Sequence, residues 1–246
     1  MRIINSIKGL ILMISSTRIF KPEEILKDKR VAIIGAADSA FECQNGDYID
    51  NFDLIVRVNK APHSWSPSKA NYIGSRTDIL FHSFYENTDS GGGPIDFELY
   101  AKQGIKYVVN PNFSIKGLRT HLTYFKRNLD KKRTFLLPRQ FYKKMTANFG
   151  EVIPTVGYSA LYTVLNSNCK EVFITGFTFF KTPYANDYRD HLKDMKANKG
   201  HLKSQGLHNP DLELLEFINQ KRILEENSST KIIMDDALIN ILEKYS

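Results

Sequence analysis

Cysteine is scarce in this 246-residue chain: only Cys43 and Cys169 are present, too few for a disulfide scaffold, and a reducing, cytoplasmic setting is the expectation. No apolar stretch approaches the ~20 residues that span a bilayer. Acids are in deficit, 27 Asp and Glu against 34 Lys and Arg, which leaves a formal charge of +7. Such a balance attracts an anionic partner without saying whether it is nucleic acid, membrane or a phosphorylated substrate. Long blocks of one charge are missing too. The densest basic run, Lys126-Arg127 with Lys131-Lys132-Arg133, reads as a solvated helix end. Also missing is G-x-G-x-x-G. The stretch V-A-I-I-G-A-A-D-S-A ends an apolar run on Gly35, but Ala36, Ala37, Asp38 and Ser39 follow. A nicotinamide or flavin cofactor is therefore not expected, while another nucleotide stays open.

What is there suits one large α/β domain with a full core; neither an internal repeat nor a second domain boundary is visible. Residues 1–28 read as an N-terminal amphipathic extension before a domain over 29–246. Ile3, Ile4, Ile7, Leu10, Ile11 and Ile14 recur at helical spacing with Arg2, Lys8 and Arg18 nearby. Such a helix packs on the body or a neighbouring subunit, or lies in a membrane interface. The apolar core is too short, and lacks the small-residue cleavage site, for a secretory signal.

Seven runs read as strands: VAIIG from Val31, DLIVRVN from Asp53, TDILFHS from Thr77, KYVVNP from Lys106, TFLLP from Thr134, EVFITGF from Glu171 and KIIM from Lys231. Helical segments separate several of them. That alternation predicts a mostly parallel, Rossmann-like sheet covered by helices on both faces, with its ligand beyond the carboxyl ends of the strands. The positions there are Gly35 to Ser39, Arg57-Val58-Asn59, His82-Ser83, Asn110-Pro111-Asn112 and Gly176, with Phe177 beside it. One interval, residues 181–207, is long, cationic and poor in aliphatics. It reads as a flexible lid that closes over a phosphate, or as a plain insertion.

Three segments carry the chemistry. In G-L-H-N-P-D-L-E, Asn209 can cap a helix, Pro210 suits its first position, and Asp211 and Glu213 load its first turn. His208 then precedes a helix amino terminus, whose dipole disfavours imidazolium and keeps the ring able to accept a proton; the nearby carboxylates push the other way. In P-T-V-G-Y-S, Thr155 is a plausible cap, Gly157 permits close approach, and an anion can rest on the helix start. In D-N-F-D-L-I-V-R-V-N-K-A-P, alternation places Arg57 and Asn59 at or past a strand end. Asn59 there offers amide donors and an acceptor to a base or sugar, or makes a turn before Pro62.

In this order, the segments resemble the sialyltransferases. Val31 to Pro62, with I-D-x-F-D-x-I-V-R-x-N-x-A-P and the following I-G-S-R-T-D-I, is similar to the family's large motif. Pro154 to Phe177 resembles the small motif, and His208 with Glu213 resembles the H-x4-E signature of the very small motif. The resemblance implies a variant of the GT-A fold and an inverting transferase. The donor would be a CMP-activated sialic acid or related nonulosonic acid, and the acceptor a glycan or glycolipid rather than a nucleic acid. It implies that Gly35, Ala36, Ser39 and Asn59 line the CMP site and that Thr155, Val156, Gly157 and Tyr158 hold it from the other side. His208 would be general base, with Glu213 beside it in the catalytic signature. Tyr184 and Tyr188 are the lid hydroxyls expected at the leaving phosphate.

The chain departs from the pattern at three places. Many animal members carry Asn or Ser where Ala36 stands, so only a backbone contact carries over. Their third motif is matched by Tyr188 but by no clear histidine, unless His191 serves. Their inter-motif disulfide would need a cysteine at Val31, so Cys169 has no such partner, which suits a bacterial-type enzyme. No D-x-D pair is present, so no metal and no other cofactor is expected. A CMP-Kdo transferase and a non-catalytic nucleotide binder are the alternatives.

Overall fold

The computed structural model describes residues 2–87 and 91–245. Eight strands form the sheet: β1 (Thr17–Ile19), β2 (Arg30–Ile34), β3 (Leu54–Val58), β4 (Ile79–Phe81), β5 (Tyr107–Asn110), β6 (Thr134–Leu136), β7 (Glu171–Thr175) and β8 (Lys231–Met234). They lie in the order β1-β6-β5-β4-β3-β2-β7-β8, every neighbouring pair parallel. Apolar runs such as Val31 to Ile34 are buried on both faces, as a parallel sheet between helical layers requires. The larger core packs β2, β3 and β7 against the Val156–Leu165 and Pro210–Asn227 helices.

All seven expected strands form, as β2 to β8. The eighth, β1, lies inside the segment read as an extension: Thr17, Arg18 and Ile19 pair with Thr134, Phe135 and Leu136, so part of residues 1–28 is an edge of the sheet. The Arg2–Ser16 helix leads into β1. Residues 181–207 are not wholly irregular either, since Met195–Gln205 is a helix, with the Asp194 side chain accepting the Ala197 N–H as its cap.

Chain order runs outward from β2 to β6 on one side, then returns to place β7 on the other side of β2. The reversal puts the ends of β2 and β7 side by side at a topological switch point. Gly35 and Gly176 meet there backbone to backbone: a Cβ on Gly35 would stand 2.1 Å from the Gly176 carbonyl oxygen. Gly176 also has φ +73°, which favours glycine. Asp235 ties the junction together, accepting from Gly176 N–H at 2.8 Å, Thr175 Oγ1 at 2.9 Å and Ser39 Oγ at 3.3 Å.

Several polar positions of the first motif hold the chain rather than a ligand. Asp53 accepts the Arg30 N–H at 2.7 Å and Asp50 accepts the Ser75 N–H and hydroxyl. Arg57 is buried, donating from Nε to Thr77 Oγ1 at 3.0 Å and from Nη2 to the Ile73 and Gly74 carbonyls. Burial lowers its guanidinium to about 10. Arg57 therefore does not accompany Asn59 to the ligand side, because its side chain is used to close the Ile73–Arg76 loop.

Candidate active site

Beyond the carboxyl ends of the central strands lies a cavity of about 480 Å³. Its floor is the switch point, represented by Ala36, Gly176 and Phe177. The Ala36 carbonyl accepts the Ala185 N–H at 2.9 Å, whereas no partner takes the Ala36 N–H among the described residues. One wall is Asn59 and Ser83. Asn59 has φ +50°, a conformation asparagine tolerates, and its Oδ1 accepts the Ser83 N–H at 3.1 Å. The Asn59 amide NH₂ then reaches the Tyr188 hydroxyl, which ties this wall to the segment that crosses the cavity.

The facing wall is the start of the Val156–Leu165 helix. Thr155 caps it, Oγ1 accepting the Tyr158 N–H at 3.1 Å. The first N–H groups, at Val156 and Gly157, are left by helix geometry without intrahelical partners and suit an anion. Beside Gly157 lies the Phe177 ring, with which a Cβ at Gly157 would make only ordinary contact, at 3.4 Å. Behind Thr155 sits Glu213, fully buried, accepting the Thr155 N–H at 2.6 Å and the Thr155 hydroxyl at 2.8 Å. Burial raises the Glu213 carboxyl to about 7, the two Thr155 bonds opposing it.

His208 lies just before the Pro210–Asn227 helix, which Asn209 caps by accepting the Leu212 N–H at 3.1 Å. His208 Nδ1 is 2.6 Å from the Ile153 carbonyl oxygen. A carbonyl only accepts, so Nδ1 carries the hydrogen and the neutral ring keeps its lone pair on Nε2. Burial, with the positive charge of Lys116, lowers the imidazole below its usual value, against the Ile153 bond, which raises it.

The segment after β7 crosses over the cavity. Asp38 N–H donates to the Pro183 carbonyl at 3.1 Å, Thr182 Oγ1 to Asp38 Oδ1 at 2.7 Å, and Lys181 pairs with Asp211. These bonds hold Tyr184 and Tyr188 against the site, their rings stacked at 5.6 Å. Burial raises both phenols; the Tyr188 hydroxyl donates to the Val58 carbonyl at 3.4 Å, and Arg189 hydrogen-bonds the Tyr184 hydroxyl. Arg189 lies over the Tyr184 ring and donates from Nη2 to His201 Nε2 at 3.2 Å.

The cavity brings together Ala36, Asn59, Ser83, Thr155, Val156, Gly157, Tyr158, Gly176, Phe177, Tyr184, Tyr188, His208 and Glu213. Three expected donor contacts stand behind its wall. Gly35 packs on Gly176, Ser39 is buried with its hydroxyl on Asp235, and Asn110 is buried, its amide donating to the Gly117 carbonyl at 3.1 Å. Lys116, Arg189 and His201 line the cavity and escape a search confined to strand ends. Lys116 is the second residue of the Ile115–Asn128 helix, beyond the strand-end trio Asn110-Pro111-Asn112, and Arg189 directly follows Tyr188. Among the described residues no cluster of His, Cys, Asp and Glu suits a metal ion. Both cysteines are free, and burial raises the Cys169 thiol to about 12.

A sequence model of glycosyltransferase family 29 (sialyltransferase) matches residues 3–221. The fold is similar to that of a mammalian sialyltransferase, at 16% identity and TM-score 0.55 over 93% of this chain and 78% of the other. It is also similar to Cst-I, a monofunctional alpha-2,3-sialyltransferase of Campylobacter jejuni, at 14% identity and TM-score 0.54 over 90% and 80%. CstII of the same organism, in complex with the substrate analogue CMP-3FNeuAc, gives 17% identity and TM-score 0.50 over 86% and 83%. A comparison with curated protein sequences finds no match.

Proposed function

The chain belongs to glycosyltransferase family 29, the sialyltransferases, and from that premise we propose that it moves a sialic acid, or a related nonulosonic acid, from a CMP-sugar to a glycan hydroxyl with inversion. Two similar structures lend support: CstII is described with CMP-3FNeuAc and with CMP plus a trisaccharide acceptor. The mammalian enzyme is described with Gal-beta-1-3GalNAc-ortho-nitrophenol.

The observation that carries the reading is the His208 Nδ1 bond to the Ile153 carbonyl, which leaves Nε2 as a base at the cavity wall. Nε2 takes the proton of the acceptor hydroxyl while that oxygen bonds to the anomeric carbon, and the bond from that carbon to the CMP phosphate breaks. Attack and departure occur on opposite faces, hence inversion. The departing phosphate gains negative charge beside the Val156 and Gly157 N–H groups and the Tyr184 hydroxyl, donors of the kind that lower such barriers, with the Tyr188 hydroxyl joining them once it turns from the Val58 carbonyl. A monophosphate needs fewer donors than a pyrophosphate, and the reaction is proposed to proceed without a metal. Glu213 positions this machinery rather than touching the reacting atoms: its carboxylate holds Thr155, and Thr155 caps the helix.

A donor screen tests the reading. CMP release is followed with CMP-activated nonulosonic acids, CMP-Kdo and a panel of glycan acceptors, with and without chelator. Acceptor-dependent release from a CMP-sialic acid, indifferent to chelator, is expected. Release from CMP-Kdo alone would replace the donor, and release from none would reduce the protein to a binder.

A further inference from the structure

The Arg2–Ser16 helix is mounted with its apolar face outward. Gly9 packs so closely on the Ile115–Asn128 helix that a Cβ there would stand 2.7 Å from Lys126 Cγ. Leu12 and Met13 are tucked beneath, against the cluster holding Tyr124 and Phe125. On the opposite face Ile3, Ile4, Ile7, Leu10, Ile11 and Ile14 are each between 46% and 77% exposed. At 100° per residue these six fall within one third of the helix circumference. A continuous ridge of branched aliphatics is not the surface of a fully solvated monomer.

The flanks of the ridge are cationic. Ile3, Ile7 and Leu10 share a groove with Leu122 and Lys126. The same stripe of the neighbouring helix continues through Arg119 to Ile115, which are both exposed, Ile115 at 79%. Lys8 stands exposed on the other side of the ridge. Neither helix contains an Asp or Glu.

We infer that this face is a membrane-docking surface, on which the Arg2–Ser16 helix lies in the interface of an anionic bilayer with its aliphatic ridge among the acyl chains and Lys8, Arg119 and Lys126 at the headgroups. Charge complementarity selects this occupant: a second copy docked by the same ridge would bring like-charged flanks together, whereas anionic headgroups pair with them. The helix's other face, through Gly9, Leu12 and Met13, stays packed on the body of the domain, so the helix lies on the bilayer rather than crossing it. Both helices feed parallel neighbouring strands, β1 and β6. The exposed Ile115 adjoins Lys116, which lines the cavity, so the docked face and the cavity mouth meet at one end of the sheet. The inference goes beyond the proposed reaction and does not depend on it.

Co-sedimentation with vesicles tests it, using phosphatidylcholine alone and phosphatidylcholine mixed with phosphatidylglycerol, at low and high salt. Two variants accompany the intact chain: Ile7→Ser with Ile11→Ser and Ile14→Ser, and Lys8→Glu with Arg119→Glu. The expected result is binding at least about tenfold stronger to the anionic vesicles, weakened by salt and reduced at least about tenfold in each variant. Melting temperature and CMP release with a soluble acceptor should be unchanged. The charge-reversal variant, made at exposed side chains, keeps the test decisive if the triple variant loses its fold. Failure of the intact chain to sediment with anionic vesicles overturns the proposal, as does equal binding by the variants. A concentration-dependent dimer that the triple variant dissolves overturns it too, since a second copy would then cover the ridge.

Discussion

The Glu213 carboxylate accepts both the backbone N–H and the hydroxyl of Thr155, at 2.6 and 2.8 Å, and so joins the helix that follows His208 to the helix proposed to receive the phosphate. The pairing explains an H-x4-E spacing: the histidine stands before the helix, and the glutamate one turn inside it reaches back to the other helix cap.

That geometry gives a pH dependence. Burial raises the folded Glu213 carboxyl from 4.5 to about 7, so the native state holds a proton that the unfolded chain releases earlier. The stability contributed by the protonated group is fully present below the unfolded value and is lost as pH rises through about 7, a swing of up to about 3 kcal/mol. Thermal melts across this window should show the wild-type melting temperature falling relative to that of Glu213→Gln, which has no proton to lose. Parallel curves would contradict the assignment.

The switch point makes a second prediction. Gly35→Ala would place a methyl group 2.1 Å from the Gly176 oxygen, and backbone must move to admit it. Chemical denaturation should show a loss of about 3 kcal/mol or more, whereas alanine at the open, exposed Gly200 inside a helix should gain up to about 1 kcal/mol from helix propensity.

Lys116 lowers the His208 imidazole. Removing the charge with Lys116→Gln raises that value, so the acid limb of the kcat/KM profile, which rises as His208 loses its proton, should move to higher pH. A profile that stays in place would show that a different group sets the limb.

Tyr184→Phe keeps the ring stacked on Tyr188 while deleting a hydroxyl donor. If that hydroxyl meets the departing phosphate, kcat should fall about 10-fold or more with little change in melting temperature. An unchanged kcat would assign Tyr184 to packing alone.

Seven strands were legible because each is an apolar run bounded by turn residues. β1 was not, since Thr17–Ile19 has three residues, no apolar run, and a place in the sheet only through long-range pairing with β6. The strand-end rule located the cavity but not which side chains face it. Ser39 and Asn110 occupy strand ends and are drawn backward by Asp235 and the Gly117 carbonyl, partners distant in sequence or hidden by the turn. Gly35 was legible as a site of close approach, and a group that approaches it closely is the Gly176 backbone. Thr155 and Asn209 were legible as caps because capping is local chemistry, and both caps form. The Met195–Gln205 helix escaped notice because its sequence has few aliphatics to mark a periodicity.

The most direct test of the central claim is single-turnover CMP release by His208→Ala beside a measurement of CMP binding. The account predicts that release in the presence of acceptor falls by about 10²- to 10⁴-fold while CMP affinity changes little, because Ala36, Asn59 and the Thr155 cap remain in place. Turnover that persists undiminished in this variant would contradict the assignment of His208 as the base.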